Sequence, residues 1–90
     1  MVRSMQMIVS GTVQGVYFRS WIHDQAKSLG VKGWVRNLAE SKVEVLAQGE
    51  DTAVEELRKR LHVGSQLSRV EHVDAQWMEY DKEHTDFQIR

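Results

Sequence analysis

Two short runs hold residues whose types and spacing suit chemistry: Gly11-Thr12-Val13-Gln14-Gly15-Val16-Tyr17-Phe18-Arg19 and Gly33-Trp34-Val35-Arg36-Asn37. In the first, strand-like alternation ends near Val13, a turn centred on Gly15 follows, and helical spacing opens around Phe18. The first N–H groups of a helix have no partner within it, and the macrodipole makes that end positive. Donors of the turn therefore converge beside Arg19, whose planar, always-charged fork holds two oxygens at once. A tetrahedral oxyanion such as phosphate fits this cradle, to which Gln14, Gly15, Val16, Tyr17, Phe18 and Arg19 contribute.

The elements that must position this cradle are legible in the apolar spacing. Met5, Met7, Val9 and Val13 alternate with Gln6, Ser10 and Thr12, as a half-buried strand over 5–13 requires. Phe18, Ile22, Ala26 and Leu29 then follow helical spacing, and Gly30 supplies the stop. Residues 31–37 and 42–48 read as two strands joined by a hairpin. Asp51 or Thr52 is the expected N-cap of a second helix, and Thr52 and Glu55 have the spacing of a capping box. Val54, Leu57 and Leu61 form its apolar stripe, Gly64 can close it, and Arg58, Lys59, Arg60 and His62 suit its negative C-terminal end. Residues 70–80 read as the last long strand, with a bulge after Val70, and Phe87 and Ile89 as anchors of a short terminal one. The order is that of the ferredoxin-like βαββαβ plan. An α+β sandwich is expected, with an antiparallel sheet of four or five strands and both helices on one face.

Composition sets the outer limits. Ninety residues argue for one domain spanning 1–90. With no Cys there is no disulfide and no thiolate ligand, so a single apolar core must supply the stability. Twelve Lys and Arg against 13 Asp and Glu give a net charge of -1, which offers no global field for nucleic acid or an anionic membrane. Anion binding must then be local. No apolar signal segment or membrane-length stretch is visible, so the expectation is a cytoplasmic protein acting as a monomer, with no nucleic-acid or membrane partner. His23, His62, His72 and His84 fall on different elements without ligand spacing, and no metal is expected. The three Trp residues are expected to divide between core packing and partial exposure. Pro is absent, so no prolyl isomerisation should slow folding.

On these residues the chain resembles the acylphosphatases, small hydrolases with the same βαββαβ order. The resemblance runs from the first strand through the nine-residue run at 11–19, Leu29-Gly30, the run at 33–37, Val43-Glu44-Val45, Gln48-Gly49 and Gly64 to Phe87-Gln88-Ile89-Arg90. It implies hydrolysis of a carboxyl–phosphate anhydride to carboxylate and inorganic phosphate, without metal or cofactor. Arg19 would bind the phosphoryl oxygens, and Asn37 would orient the attacking water. In the plan so implied, the first and second strands run parallel with the third between them, so the 14–19 loop and Asn37 emerge at one end of the sheet.

Elementary chemistry agrees with that implication. The leaving carboxylate has a conjugate acid of pKa about 4 and needs no general acid at neutral pH. Stabilising three equatorial oxygens and placing water in line is work for an arginine, fixed N–H dipoles and an amide that both donates and accepts. Inorganic phosphate or sulfate should compete for the same cradle. Asn37 also suits a hairpin through its tolerance of positive φ, and both roles can hold together. Val13, Val16 and Phe18 are expected in the core, Val16 also lending its N–H. Tyr17 either lines the pocket or is partly buried, and Arg36 should face the opposite side of its strand from Asn37. Two positions depart from the family pattern: Glu40-Ser41 stands where the hairpin usually has Asp-Gly, and Gly64-Ser65 where Gly-Pro usually follows the second helix. The alternative reading is a ferredoxin-like RNA-binding module, since residues 15–19 faintly resemble an aromatic strand motif of such domains. A related domain fused to a hydrogenase-maturation carbamoyltransferase shares the first motif, but the length disfavours it.

Overall fold

The computed structural model describes residues 2–15, 17–79 and 82–90. Seven elements follow one another: β1 (Val2–Thr12), α1 (Phe18–Leu29), β2 (Lys32–Leu38), β3 (Lys42–Glu50), α2 (Asp51–Val63), β4 (Arg69–Met78) and β5 (Phe87–Ile89). The sheet order is β4-β1-β3-β2-β5. β1 pairs antiparallel with β3 and β4, and β2 antiparallel with β3. The terminal strand runs parallel to β2, from Gly33 beside Phe87 to Val35 beside Ile89, so the sheet is mixed where a wholly antiparallel one is expected. The pairing geometry makes β1 and β2 parallel, and their C-terminal ends share one end of the sheet.

Strand alternation decides which face is buried. Met5, Met7 and Val9 of β1, Val35 of β2, and Val43, Val45 and Ala47 of β3 lie under the helices, at most 2% exposed. Phe18, Ile22 and Ala26 of α1 and Val54, Leu57 and Leu61 of α2 close over them, also essentially without solvent contact. This helical face is one continuous core, with Trp21, Leu29, Ala53, Val70, Ala75 and Trp77 packed at its margin. The opposite face is polar: Glu44 accepts hydrogen bonds from Gln6 at 2.6 Å and from Arg36 at 2.7 Å, and Arg36 and Arg90 both lie over the Trp34 ring. All three Trp residues are intermediate in exposure, Trp21 and Trp77 against the core and Trp34 on the polar face. That face gives the RNA-binding alternative no support, because its central strands β1 and β3 carry Glu44 and its amide partner there, while Tyr17 and Phe18 sit at a helix start.

The helix ends obey local chemistry, with one departure. Gly30 ends α1 in the left-handed region at φ 71°, and the Val31 N–H donates to the Ala26 carbonyl at 2.9 Å, a Schellman closure. At the other helix Glu50 occupies the N-cap without a side-chain cap bond, so neither Asp51 nor Thr52 caps it and the capping box does not form. Glu55 instead accepts Arg58 hydrogen bonds at 3.0 and 3.2 Å, which hold its carboxyl below the usual carboxylate range. Asp51 remains in the first turn, where its charge suits the dipole. Gly64 closes the helix through a 2.9 Å bond to the Arg60 carbonyl.

Two glycines permit close backbone approach. The β1–β4 register slips between Ser10 and Gly11, opposite His72 and Val70, which makes Glu71 the extra residue of a bulge after Val70. A Cβ on Gly11, at φ 133°, would collide with the Arg69 carbonyl, and one on Gly33 with that of Leu46. The second motif's glycine therefore serves sheet packing. Among the described residues no helix is long and apolar enough to cross a membrane.

At the β2–β3 hairpin, Glu40 (φ 62°) and Ser41 (φ 58°) are both left-handed, the sign pattern of a type I′ turn built without glycine. Holding L residues there is unfavourable. Ser41→Gly should stabilise the fold by about 0.5–1 kcal/mol and leave hydrolysis unchanged. Chemical denaturation reads this directly, and a lowered or unmoved midpoint would mean the turn tolerates serine without strain.

Candidate active site

The site is built where β1 delivers its chain into α1. Val13, 1% exposed, ends the buried run, and the next residues leave the sheet. The Gln14 side-chain amide donates to the Leu38 carbonyl at 2.7 Å and to the Lys42 carbonyl at 2.9 Å. Expected in the cradle, Gln14 thus commits its side chain to lacing the loop onto the β2–β3 hairpin, next to Asn37. Gly15 follows at φ 72°. Val16, expected to supply a cradle N–H and to lie in the core, falls outside the described residues.

Tyr17 is the N-cap of α1 in the left-handed region, at φ 59° and ψ 26°. The residue is 82% exposed and lines the cavity described below, so of the two alternatives for it partial burial does not hold. A left-handed tyrosine costs on the order of 1 kcal/mol and needs a compensating role. Phe18 does the anchoring: it is 1% exposed and stacks on Trp21 with ring centroids 5.5 Å apart, fixing the helix start to the core. Helical bonding begins with the Trp21 N–H donating to the Tyr17 carbonyl at 3.0 Å. Phe18, Arg19 and Ser20 accordingly have N–H groups with no intrahelical partner.

Arg19 lies in that first turn, and no acidic residue accompanies it there. A cation at the positive end of a helix is unfavourable unless an anion is present, so the arrangement suits an oxyanion. Its Nη1 donates to the main-chain oxygen of Arg90 at 2.8 Å, and the Arg90 N–H in turn donates to the Val35 carbonyl at 2.8 Å. β5 thus continues β2's hydrogen bonding up to the site and fixes one arm of the guanidinium. The remaining N–H donors of Arg19 are not engaged by any described residue.

Asn37 stands two residues beyond the fully buried Val35, hence on the helical face, but past the helix layer and exposed. Arg36 points the other way, as expected, onto Glu44. A cavity of about 380 Å³ brings Gly15, Tyr17, Phe18, Arg19 and Asn37 together. Val13, Ser20 and Ile89 complete its lining, the last two unforeseen. Ser20 was recognisable as the next residue of the helix's first turn. Ile89 and the Arg90 oxygen were not, because only the parallel β2–β5 pairing brings them there. Among the described residues, no group of three His, Asp or Glu is disposed to hold a metal ion.

The class so defined is a two-layer α+β sandwich in which the loop after β1 and the start of α1 share one cavity with an amide of β2, which lies beyond β3 in the sheet. Residues 5–89 match the family model described as Acylphosphatase. An acylphosphatase of Methanococcoides burtonii is 43% identical over 89 residues, covering 99% of this chain and 93% of the relative. The solved structure of an acylphosphatase from Coxiella burnetii superposes with a TM-score of 0.93 at 32% identity, covering 99% of this chain and 93% of that one. That of the acylphosphatase from Bacillus subtilis also gives 0.93, at 31% identity, over 100% and 99%. The chain belongs to the acylphosphatase family. Its activity is hydrolysis of acyl phosphates to carboxylate and inorganic phosphate.

Proposed function

We propose that Arg19 and the N–H groups of the 14–19 loop bind the phosphoryl group while Asn37 holds the attacking water, with no metal in the reaction. The observation that carries this reading is an arginine in an acid-free first helical turn, sharing one cavity with Asn37. The water oxygen forms the new P–O bond as the bond to the carboxyl oxygen breaks. The electron pair leaves with the carboxylate, and a water proton ends on phosphate. Charge that spreads over the three equatorial oxygens meets fixed donors, so little reorganisation is needed in the transition state. Because the carboxylate is a weak base, no proton donor is required, in keeping with a cavity whose lining includes no His, Asp or Glu. By the same reading residues 1–90 are one domain that acts as a cytoplasmic monomer on a free small-molecule acyl phosphate.

Purified protein should hydrolyse a panel of acyl phosphates and spare phosphate monoesters, whose alkoxide leaving groups need protonation. The rate should be unchanged after exhaustive treatment with EDTA, and inorganic phosphate or sulfate should inhibit competitively. Loss of turnover on chelation with recovery on adding a divalent metal would refute the metal-free mechanism.

A further inference from the structure

We propose that the apolar groove between Tyr17, Trp21 and Leu67 receives the acyl group of the substrate and favours a bulky, uncharged, aromatic acyl group over a small aliphatic one. This rests on the reading that Asn37 holds the attacking water.

The direction of departure follows from the sheet order. In an in-line displacement the leaving group exits on the side of phosphorus opposite the water. Within the order β4-β1-β3-β2-β5, the cradle that follows β1 has β2 and its Asn37 on one flank and β4 on the other. Arg69, the first residue of β4, pairs with Thr12 at the end of β1, so the α2–β4 loop at 64–68 lies at the cradle's end of the sheet. A carboxylate displaced by water from the Asn37 side therefore leaves toward that loop.

A second cavity, of about 370 Å³, lies there, lined by Tyr17, Trp21, Ser65, Gln66 and Leu67. Tyr17 lines this groove and the phosphoryl cavity alike, so the two adjoin at this residue. None of the five residues carries a charge. Leu67 is 67% exposed and stands outside the core cluster, and Trp21 is half-buried against Phe18, leaving part of its surface to the groove. The left-handed backbone of Tyr17 presents an aromatic ring to solvent where a glycine would be relaxed. The conformation is costly for folding alone and is accounted for by a ring that covers an apolar group of the substrate. The opposite flank of the phosphoryl cavity ends instead at Ile89, followed by the cation Arg90.

The test compares kcat/KM for benzoyl phosphate and acetyl phosphate in the wild type and in Leu67→Ser, Tyr17→Ser and Ile89→Ser. The ratio of benzoyl to acetyl phosphate should fall about tenfold in Leu67→Ser and in Tyr17→Ser, mainly through KM for the aromatic substrate. In Ile89→Ser it should hold. Competitive inhibition of Leu67→Ser by inorganic phosphate, which has no acyl group, should match the wild type. An unchanged ratio in Leu67→Ser, or a fall confined to Ile89→Ser, would overturn the subsite while leaving acyl phosphate hydrolysis intact. Hydrolysis of neither substrate by the wild type would instead overturn the functional reading, and the subsite with it. Leu67 lies exposed in a loop, so its replacement does not threaten folding.

Discussion

Replacing Asn37 by alanine should lower kcat by about a hundredfold or more while KM for an acyl phosphate barely moves. The split follows from what the side chain is proposed to do. Phosphoryl binding is proposed to rest on Arg19 and the N–H groups at the start of α1, which the substitution leaves in place, so the ground-state complex should form as before. The amide's proposed work is to fix a water for in-line attack, and alignment of that kind is realised chiefly in the transition state. Loss of one well-placed polar group at such a site removes rate on this scale. The protein should stay folded, because Asn37 is exposed at the end of β2 and no described residue hydrogen-bonds its side chain. Steady-state kinetics on an acyl phosphate decide the matter, with a denaturation midpoint as the folding control. A folded variant with wild-type kcat would require another group to hold the water.

What brings Asn37 and Arg19 to one cavity was readable in advance, and the reasons are specific. Strand alternation alone sets Asn37 and Val35 on one face and Arg36 on the other, and the four-residue spacing of Phe18, Ile22 and Ala26 starts the helix where the cradle needs it. The shortfalls have physical causes. Gln14 adjoins the cradle in sequence, yet its amide is bound to carbonyls 24 and 28 residues away, and no local pattern encodes such a contact. Tyr17 precedes a helix whose apolar face is clear, but the sign of its φ decides whether its ring enters that face, and the ring turns out to solvent. The Thr52–Glu55 spacing suits a capping box, but Arg58 competes for the same carboxylate one turn later and wins it. β5 is three residues long, too short to display a period, and its parallel pairing with β2 depends on chain closure through the whole domain. That pairing also brings the Arg90 oxygen to Arg19, so the fold and the site were opaque at the same place.

Arg19→Gln should fail in both binding and turnover. The guanidinium is proposed to touch the phosphoryl oxygens before and during the reaction, so its loss should raise the inhibition constant of inorganic phosphate at least tenfold. It should lower kcat/KM on the order of a thousandfold, as removal of an arginine from a phosphoryl-transfer site does. Arg19→Lys should restore little, because an ammonium keeps the charge but not the two-pronged planar geometry proposed to grip the phosphoryl group while meeting the Arg90 oxygen. Stability separates this from a general structural defect. Without anion the midpoint of Arg19→Gln should hold close to the wild-type value. The lost bond to Arg90 is offset by removing a cation from the positive end of α1, where such a charge is unfavourable by about 0.3–1 kcal/mol. Phosphate should raise the wild-type midpoint by mass action and raise that of Arg19→Gln far less. An Arg19→Gln protein that still gains stability from phosphate as the wild type does would place the anion elsewhere, and the cradle between β1 and α1 would have to be given another purpose.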